Sequence, residues 1–447
     1  MTERAFLAFA VASFAVLAFL AGSFVILAQR FPYEPLRSAY VAAKALMQQH
    51  RELGNAYATD LWHKAPTARQ GVTVIDPERM QPGYTLYSSA HTQAAFLIGP
   101  DGKVAHAWSM PYSQVWDRSA ATQHPVADNR TYFRDVRLLP NGELLAVYDG
   151  VGDALYGYGL IKLDKDSHLV WKYLQHVHHT VDVAPHGNVF ILTQAITTDE
   201  FAPRKHLKPP RIDDYVVELS PSGTPIREVR VLDALARSDY LRLTDALPGY
   251  LGDSGDYLHT NDIEYIDAGI AQRFPFAQPG QVLLSMREPG AIAVLDLNSR
   301  RITWAMRGFW VGQHDPDLLP NGHMMLFDNN GHFGAGGRSQ VVEFDPINLQ
   351  VFWRYTGDAR RPLESVIRAS QQRLANGNTL ITESDQGRLL EVSPSGDIVW
   401  EFVNPMRAAG ADGEMIPIVS SGQRIDPEQL TPEFRQVLET NNGGPQS

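Results

Sequence analysis

Short apolar runs alternate with tight polar turns along most of the chain, and one such pattern occurs six times. In each copy an apolar run leads through a turn, often rich in Pro, Asp, Ser and Gly, into a second apolar run, which usually ends on Trp. The copies span Ala94–Trp108, Leu160–Trp171, Val216–Glu228, Ile292–Trp304, Val341–Trp353 and Leu389–Trp400. Internal repetition at roughly 50–75 residues is typical of a β-propeller, whose sheets surround a central channel. The pattern therefore predicts an all-β fold, a six-bladed β-propeller.

A second type of hairpin precedes several of these copies. Its turn is Pro-Asn-Gly or a close relative, and it lies within Asp135–Val147, Thr180–Leu192, Asp315–Phe327 and Ser370–Thr382. Asn-Gly between apolar runs is a strong hairpin signal because both residues accept a positive φ. Together the two hairpins predict a four-stranded blade.

The N-terminal part of the chain has a different pattern. Residues Ala5–Ala28 carry no charge, and a helix of this length spans a hydrocarbon core of about 30 Å. The run lacks a small-x-small cleavage site, so we interpret it as an uncleaved membrane anchor. Good helix formers over Ser38–Leu53 predict a stalk helix. The predicted division is an anchor at 1–30, a stalk and linker at 31–70, the propeller at 71–405 and a C-terminal surface tail at 406–447.

Composition excludes several classes of function. The net charge is −11, and an acidic chain lacks the basic surface that nucleic-acid binding requires. The absence of Cys rules out disulfides, thiolate metal sites and a Cys nucleophile. We therefore expect no nucleic-acid partner.

Polar residues recur just before the Asn-Gly turns, where a propeller blade begins its innermost strand. Three repeats place a histidine there: His179, His259 and His314. Neutral imidazole serves as a nucleophile, base or acid near pH 7. With Asn261 and Arg287 nearby in the sequence, the set suits a reaction with an anionic transition state.

The order of these motifs resembles that of the bacterial arylsulfotransferase (arylsulfate sulfotransferase) family over roughly Gly83–Pro405. The matching pieces are Pro82-Gly83-Tyr84-Thr85-Leu86-Tyr87, the Asp101–Trp108 hairpin, the Leu-Pro-Asn-Gly units, His259-x-Asn261-Asp262, Ser285-Met286-Arg287 and Gln313-His314 with Leu319-Pro320-Asn321-Gly322. The family has a six-bladed propeller, and its members are largely exported. The apolar run predicts a single-pass protein of the inner (cytoplasmic) membrane, and the resemblance implies that its propeller is periplasmic.

The resemblance also implies an activity. It is the transfer of a sulfuryl group from an aryl sulfate to a phenol, independent of 3′-phosphoadenosine phosphosulfate (PAPS), through a sulfohistidine. His314 matches the nucleophile, and His259 and His179 match the accompanying histidines, one of which acts as acid and base. Arg287 and Asn261 match the residues that hold the sulfuryl oxygens. No metal or organic cofactor is implied.

Other interpretations remain open. A membrane-tethered, non-catalytic propeller that docks subunits of a membrane protein complex would explain the anchor and stalk, since fold does not fix function. A quinoprotein dehydrogenase would need eight repeats and vicinal cysteines. The run His176-x-His178-His179 has a spacing that can bind a metal, but we interpret it as polar strand residues.

Overall fold

The computed structural model describes residues 2–33, 35–37, 39, 40, 43, 59–153, 155–245, 247, 255–330, 338–358, 361–410 and 413–443. It divides into two units, Met1–Ala58 and Thr59–Ser447. In the first unit, helix α1 spans Glu3–Ala28, with a mean hydropathy of 2.4 and no buried residue. Its length and composition fit a membrane span and equally fit a signal sequence. Most of the predicted stalk helix, Ser38–Leu53, lies outside the described residues.

In the residues that the structure describes, the second unit contains six antiparallel sheets of four or five strands. From the innermost strand outward, the first sheet consists of β28 (Val419–Ile425), β3 (Tyr84–Ser89), β4 (Ala94–Ile98) and β5 (Val104–Ser109), and the second of β6 (Thr131–Leu138), β7 (Leu144–Gly150), β8 (Gly157–Leu163) and β9 (Leu169–Tyr173). The third sheet consists of β10 (Val177–Val183), β11 (Val189–Thr197), β12 (Arg211–Leu219) and β13 (Pro225–Arg230), and the fourth of β14 (Thr260–Tyr265), β15 (Val282–Met286), β16 (Ala291–Asp296) and β17 (Arg301–Arg307). The fifth sheet consists of β18 (His314–Leu318), β19 (Met324–Asp328), β20 (Gln340–Phe344) and β21 (Val351–Tyr355), and the sixth of β22 (Ser370–Arg373), β23 (Thr379–Glu383), β24 (Arg388–Val392), β25 (Ile398–Val403) and β2 (Gly71–Ile75).

Smaller elements complete this unit. A three-stranded sheet pairs β1 (Trp62–Lys64) with β27 (Gly413–Pro417) and β27 with β26 (Ala408–Gly410). The described residues also form four short helices, α2 (Tyr112–Val115), α3 (Val231–Ala236), α4 (Ala268–Ala271) and α5 (Pro432–Gly443), and 3₁₀ turns at Asp128–Arg130, Asp239–Asp245 and Pro427–Gln429.

Six hydrophobic cores hold the sheets together, one between each pair of successive sheets. Between the second and third sheets, for example, Val147 of β7 packs with Ile191 of β11 and Val217 of β12. The core between the sixth sheet and the first contains Leu389 of β24 and Val419 of β28. Because the sixth sheet packs against the first, the sheets form a ring. The predicted β-propeller is confirmed.

The repeated hairpins occur where the sequence predicts them. Each copy of the repeated pattern forms the third and fourth strands of a sheet, counted from the innermost strand, as β4–β5 and β24–β25 do. The Asn-Gly turn of β18–β19 holds Gly322 at φ 86°, a left-handed conformation that favours glycine. At the equivalent turn of β6–β7, a Cβ on Gly142 would lie 2.5 Å from the Phe434 ring, so a side chain would not fit.

The C-terminal segment corrects one prediction. We expected residues 406–447 to form a surface tail, but β28 is the innermost strand of the first sheet and pairs with β3 from Val419↔Ser89 to Ile425↔Tyr84. Helix α5 then buries Phe434 and Leu438 against the core between the first two sheets. The polar composition of this segment is misleading because channel-facing strands of a propeller carry polar side chains.

Side chains also join the innermost strands directly to one another. In five cases a side-chain oxygen accepts a hydrogen bond from a backbone N–H of the next innermost strand: Asp135 from Val181 at 3.1 Å, Asp182 from Tyr265 at 2.7 Å, Glu264 from Leu318 at 3.1 Å, Asp315 from Gln371 at 2.7 Å and Gln372 from Arg424 at 2.7 Å. The sixth link runs from the Ser420 hydroxyl to the Phe133 carbonyl oxygen at 2.8 Å. We call these six contacts the inner-strand links.

Removing one inner-strand link should weaken the fold. Asp182→Ala leaves the Tyr265 N–H without its acceptor, so we expect the free energy of unfolding to fall by about 1–3 kcal/mol. Asp182→Asn retains an acceptor oxygen and should lose less. Asp166→Ala, at an exposed turn, is the control and should change the value by less than about 0.5 kcal/mol. Urea unfolding of the full chain in detergent, followed by Trp fluorescence, measures all three; equal losses for Ala and Asn would contradict the link.

Candidate functional site

Irregularities at the start of the innermost strands direct side chains into the channel. The ladder register shifts between Phe133 and Asp135, between Thr260 and Asp262 and between Val419 and Ser421, so Arg134, Asn261 and Ser420 stand at bulges. Bulges re-aim side chains and are frequent beside functional sites. Strand β10 also has a shift, between His178 and Val181, and His179 within it has φ 62°.

A cavity of about 200 Å³ lies among these strands. Three of the five predicted site residues, His179, Asn261 and His314, line it. His259 and Arg287 are not among the lining residues but lie beside them. The ring centroids of His259 and His179 are 5.1 Å apart, and the backbone N–H of Arg287 donates a hydrogen bond to the His259 carbonyl oxygen at 3.1 Å. The structure therefore brings the five predicted residues into one region.

His314 is buried and held through one ring nitrogen. Its Nδ1 lies 2.7 Å from Oδ1 of Asn329 and 3.1 Å from the Gly312 carbonyl oxygen. Both partners are acceptors, so Nδ1 carries the proton and Nε2 keeps its lone pair. Burial, together with the positive charge of Arg287, holds the pKa of His314 well below its usual range. His314 is therefore a neutral imidazole near pH 7.

His259 has a charged partner instead. Its Nδ1 lies 2.6 Å from Oδ2 of Asp256. Burial alone would lower the pKa of His259, but the Asp256 carboxylate outweighs it and raises that pKa above its usual value. The same pairing lowers the pKa of Asp256 against the opposing effect of burial. His259 thus holds a proton more readily than His314 does.

His179 belongs to a buried group of polar rings. Its Nδ1 lies 2.6 Å from Nδ1 of His178 and 3.4 Å from the Tyr156 hydroxyl. Burial lowers the pKa of His178 to about 3 and holds that of His179 well below its usual range, so both rings are neutral. Burial also raises the pKa of Asp214, 3.9 Å from His178, to about 7. Of this group, His179 lines the cavity, as a neutral ring.

Asn261 and Arg287 are both engaged. The Asn261 amide donates through Nδ2 to the Gln313 carbonyl at 2.8 Å, and its Oδ1 is buried with no hydrogen-bond partner among the described residues. Arg287 pairs through Nη1 with the carboxylate of Glu288. The Arg287 charge still reaches the site, since it shifts the pKa values of both His314 and His259.

Two functional candidates are absent from the predicted set. Arg134 lines the cavity from β6, 3.3 Å from the Ser420 carbonyl and 3.7 Å from Asp149. It precedes its Asp and its Leu-Pro-Asn-Gly unit just as His314 does, so alignment of the repeats would have found it. Asn329 lies in Asp328-Asn329-Asn330, which carries no motif, and only the fold brings it to His314.

Acidic side chains also line the cavity. Burial raises the pKa of Asp315 to about 7, and burial with mutual repulsion raises those of Asp262 and Asp317 well above the usual range. Within the described ranges, three ligand-type side chains converge closely enough to hold a metal only at Asp164, Asp166 and His168, on the exposed hairpin between β8 and β9. That hairpin lies at the outer edge of its sheet, not in the cavity lining.

Comparisons with known proteins give one family match. The model of a family described as arylsulfotransferase (ASST) matches residues 135–405, more than half of the chain. No curated protein matches the chain.

The chain is also similar to several solved structures. A protein of unknown function from Bacteroides caccae is 12% identical, with a TM-score of 0.45, over 72% of this chain and 94% of that one. Virginiamycin B lyase from Staphylococcus aureus is 9% identical, with a TM-score of 0.34, over 61% and 69%. The Cps50 (Swd1) β-propeller domain from Myceliophteria thermophila is 12% identical, with a TM-score of 0.42, over 80% and 99%.

The hydrogen-bond partner of His259 leads to a testable prediction about the pKa of its ring. Asp256→Asn removes the carboxylate that raises the pKa of His259, so that pKa should fall. Histidine NMR titration of ¹⁵N-labelled full-length protein measures it, with the His259 signals assigned by their loss in His259→Gln. Asp164→Asn, which changes an exposed carboxylate on an outer hairpin, is the control and should leave the pKa of His259 unchanged. No shift in Asp256→Asn would disprove the electrostatic pairing.

Proposed function

The chain belongs to the arylsulfotransferase family, and on that basis we propose that its propeller transfers a sulfuryl group from an aryl sulfate to a phenol, independently of PAPS, through a sulfohistidine at His314. Family membership supports sulfotransferase activity in general. The finer proposal is carried by one observation: the hydrogen bonds of His314 leave Nε2 with a free lone pair at a cavity wall. A neutral imidazole with a fixed tautomer is ready to act as a nucleophile.

In the first half-reaction, Nε2 of His314 attacks the sulfur of the aryl sulfate. The N–S bond forms as the bond from sulfur to the aryl oxygen breaks, and the electron pair leaves with the phenolate. His259 donates its proton to that oxygen. Its raised pKa suits this role, and Asp256 stabilises the ring in the charged form. In the second half-reaction His259 accepts the proton of the acceptor phenol, whose oxygen attacks the sulfur and frees His314.

The sulfuryl oxygens carry negative charge throughout, so cations close to them lower the barrier. We assign Arg287 and Asn261 to these oxygens, as the family resemblance implies. Arg134 adds a second guanidinium that lines the cavity, and a guanidinium suits an oxyanion through its paired donors. His179, neutral and in the cavity wall, is assigned to hydrogen bonding with the sulfuryl group.

We further propose that α1 anchors the protein in the inner membrane with the propeller in the periplasm, consistent with its length and apolar composition. The domain limits at 30, 70 and 405 remain predictions, apart from the C-terminal correction above. A docking role in a membrane complex also remains a prediction. A docking role would not explain why His259 and His314, each bonded to a side-chain partner, lie around one cavity.

A transfer assay tests the proposed reaction. Full-length protein in detergent is mixed with p-nitrophenyl sulfate and a phenol acceptor, and we expect acceptor-dependent release of nitrophenol. His314→Ala should reduce the rate on the order of 10³-fold or more, because the covalent nucleophile is lost. His323→Ala, at the turn of the same sheet, is the control and should retain activity. Full activity in His314→Ala would rule out this nucleophile, and no transfer by the wild type with a panel of aryl sulfates would rule out the function.

Leaving-group dependence tests the role of His259. His259→Gln should slow transfer from phenyl sulfate by about 10²–10⁴-fold, because a basic phenolate needs a proton as it leaves. Transfer from p-nitrophenyl sulfate should fall much less, since nitrophenolate is weakly basic. We would measure single-turnover rates over a series of substituted phenyl sulfates in both proteins. The same slope of log rate against leaving-group pKa in both would assign the acid to another residue.

A further inference from the structure

The His314 ring is held by a residue that has no motif in the sequence. Asn329 directly follows β19 and is fully buried. Its Nδ2 donates to the Ser365 carbonyl oxygen at 2.8 Å and to the Arg368 carbonyl oxygen at 2.7 Å. Because both partners of Nδ2 are acceptors, the amide cannot be turned over without losing both bonds. Oδ1 must therefore be the atom that faces His314.

The surroundings of Asn329 make this arrangement rigid. Its own carbonyl oxygen accepts from the Ser339 hydroxyl at 2.9 Å, and that hydroxyl also contacts the Ser365 carbonyl oxygen at 3.0 Å. The backbone N–H of Ser365 donates back to the Ser339 oxygen at 3.0 Å. Three chain segments are thus joined around one amide, and the position of Oδ1 is fixed by bonds that do not involve His314.

We propose that Asn329 is a positioning residue, whose amide oxygen fixes the proton of His314 on Nδ1 and presents an uncharged Nε2 to the sulfuryl donor. This inference rests on the proposed role of His314 as nucleophile. Asn329 touches the nucleophile and not the substrate. It goes beyond the family resemblance, which supplies the histidine but not its partner.

The choice of an amide is informative because a carboxylate would have the same shape. A negative charge at this position would stabilise the imidazolium, as Asp256 does for His259, and a protonated ring has no lone pair to attack sulfur. The charged and titratable groups that act on His314 include Arg287, which follows β15, Arg134 of β6 and His259, which precedes β14. His179 of β10 couples to it as well. Against that positive field, a neutral acceptor orients the ring without charging it.

The decisive variant is Asn329→Asp, which keeps the shape and an acceptor oxygen. We expect the acid limb of kcat/KM against pH to move upward by about 1–3 pH units, with activity recovering at higher pH. Asn330→Asp places the same charge on the neighbouring exposed residue and should leave the profile unchanged. Asn329→Leu should lower kcat at every pH, because the ring loses its fixed orientation. A uniform loss in Asn329→Asp with an unmoved acid limb would reduce Asn329 to a structural role and overturn the proposal.

A second measurement separates this inference from the proposed function. Long-range ¹H–¹⁵N spectra of histidine-labelled full-length protein, with His314 assigned by its loss in His314→Gln, report the tautomer without any turnover. We expect a protonated Nδ1 and an unprotonated Nε2 in the wild type, and a doubly protonated ring near neutral pH in Asn329→Asp. If the wild type transfers no sulfuryl group but shows this tautomer, only the function fails. An Nε2–H tautomer in the wild type would refute the positioning role even in an active enzyme.

Discussion

The ring depends on side chains of the innermost strands that bond a backbone group of the neighbouring sheet. The hydrophobic cores between sheets are non-directional and leave the innermost strands free to slide, whereas each inner-strand link fixes one oxygen to one N–H. Four of the six linking side chains are carboxylates in or beside the channel, including Glu264 and Asp315. Burial raises the pKa of Glu264 well above its usual value and that of Asp315 to about 7. Burying these carboxyl groups is unfavourable, but their hydrogen bonds fix the register of the innermost strands.

The same constraint prepares the site. Three of the links start at or near these bulges: Asp135 directly follows Arg134, Glu264 lies three residues after Asn261, and Ser420 is itself at a bulge. The side chains that face the cavity therefore project from strands whose register is fixed. Preorganised groups need not reorganise as charge develops, which is the main source of electrostatic catalysis. The two paired histidines have different partners. One carboxylate and one amide, on the same ring nitrogen, give two imidazoles opposite tendencies to hold a proton.

The fold could be predicted from the sequence because a pattern that is weak evidence once becomes strong evidence when it is repeated. One Pro-Asn-Gly turn indicates little, but six hairpins of one kind predict a ring, and matching places in that repeat predict that His179, His259 and His314 converge. What repetition could not reveal is any contact made by a residue outside the pattern. Asn329 and Asp256 reach their histidines through loops. Strand β28 was missed for a related reason, because its polar composition resembles a tail until the neighbouring β3 requires a partner.

The pairing of β28 with β3 also means that the first sheet can be completed only late in the synthesis of the chain. Tyr84–Ser89 leaves the ribosome more than 300 residues before the strand that completes its sheet, and closing so long a loop makes folding slow. Ser420, which β28 brings to the cavity, arrives with that last strand. A nascent chain therefore has most of its sheets but neither a closed ring nor a finished cavity. The cavity is complete only once Val419–Ile425 has been synthesised and has paired with β3.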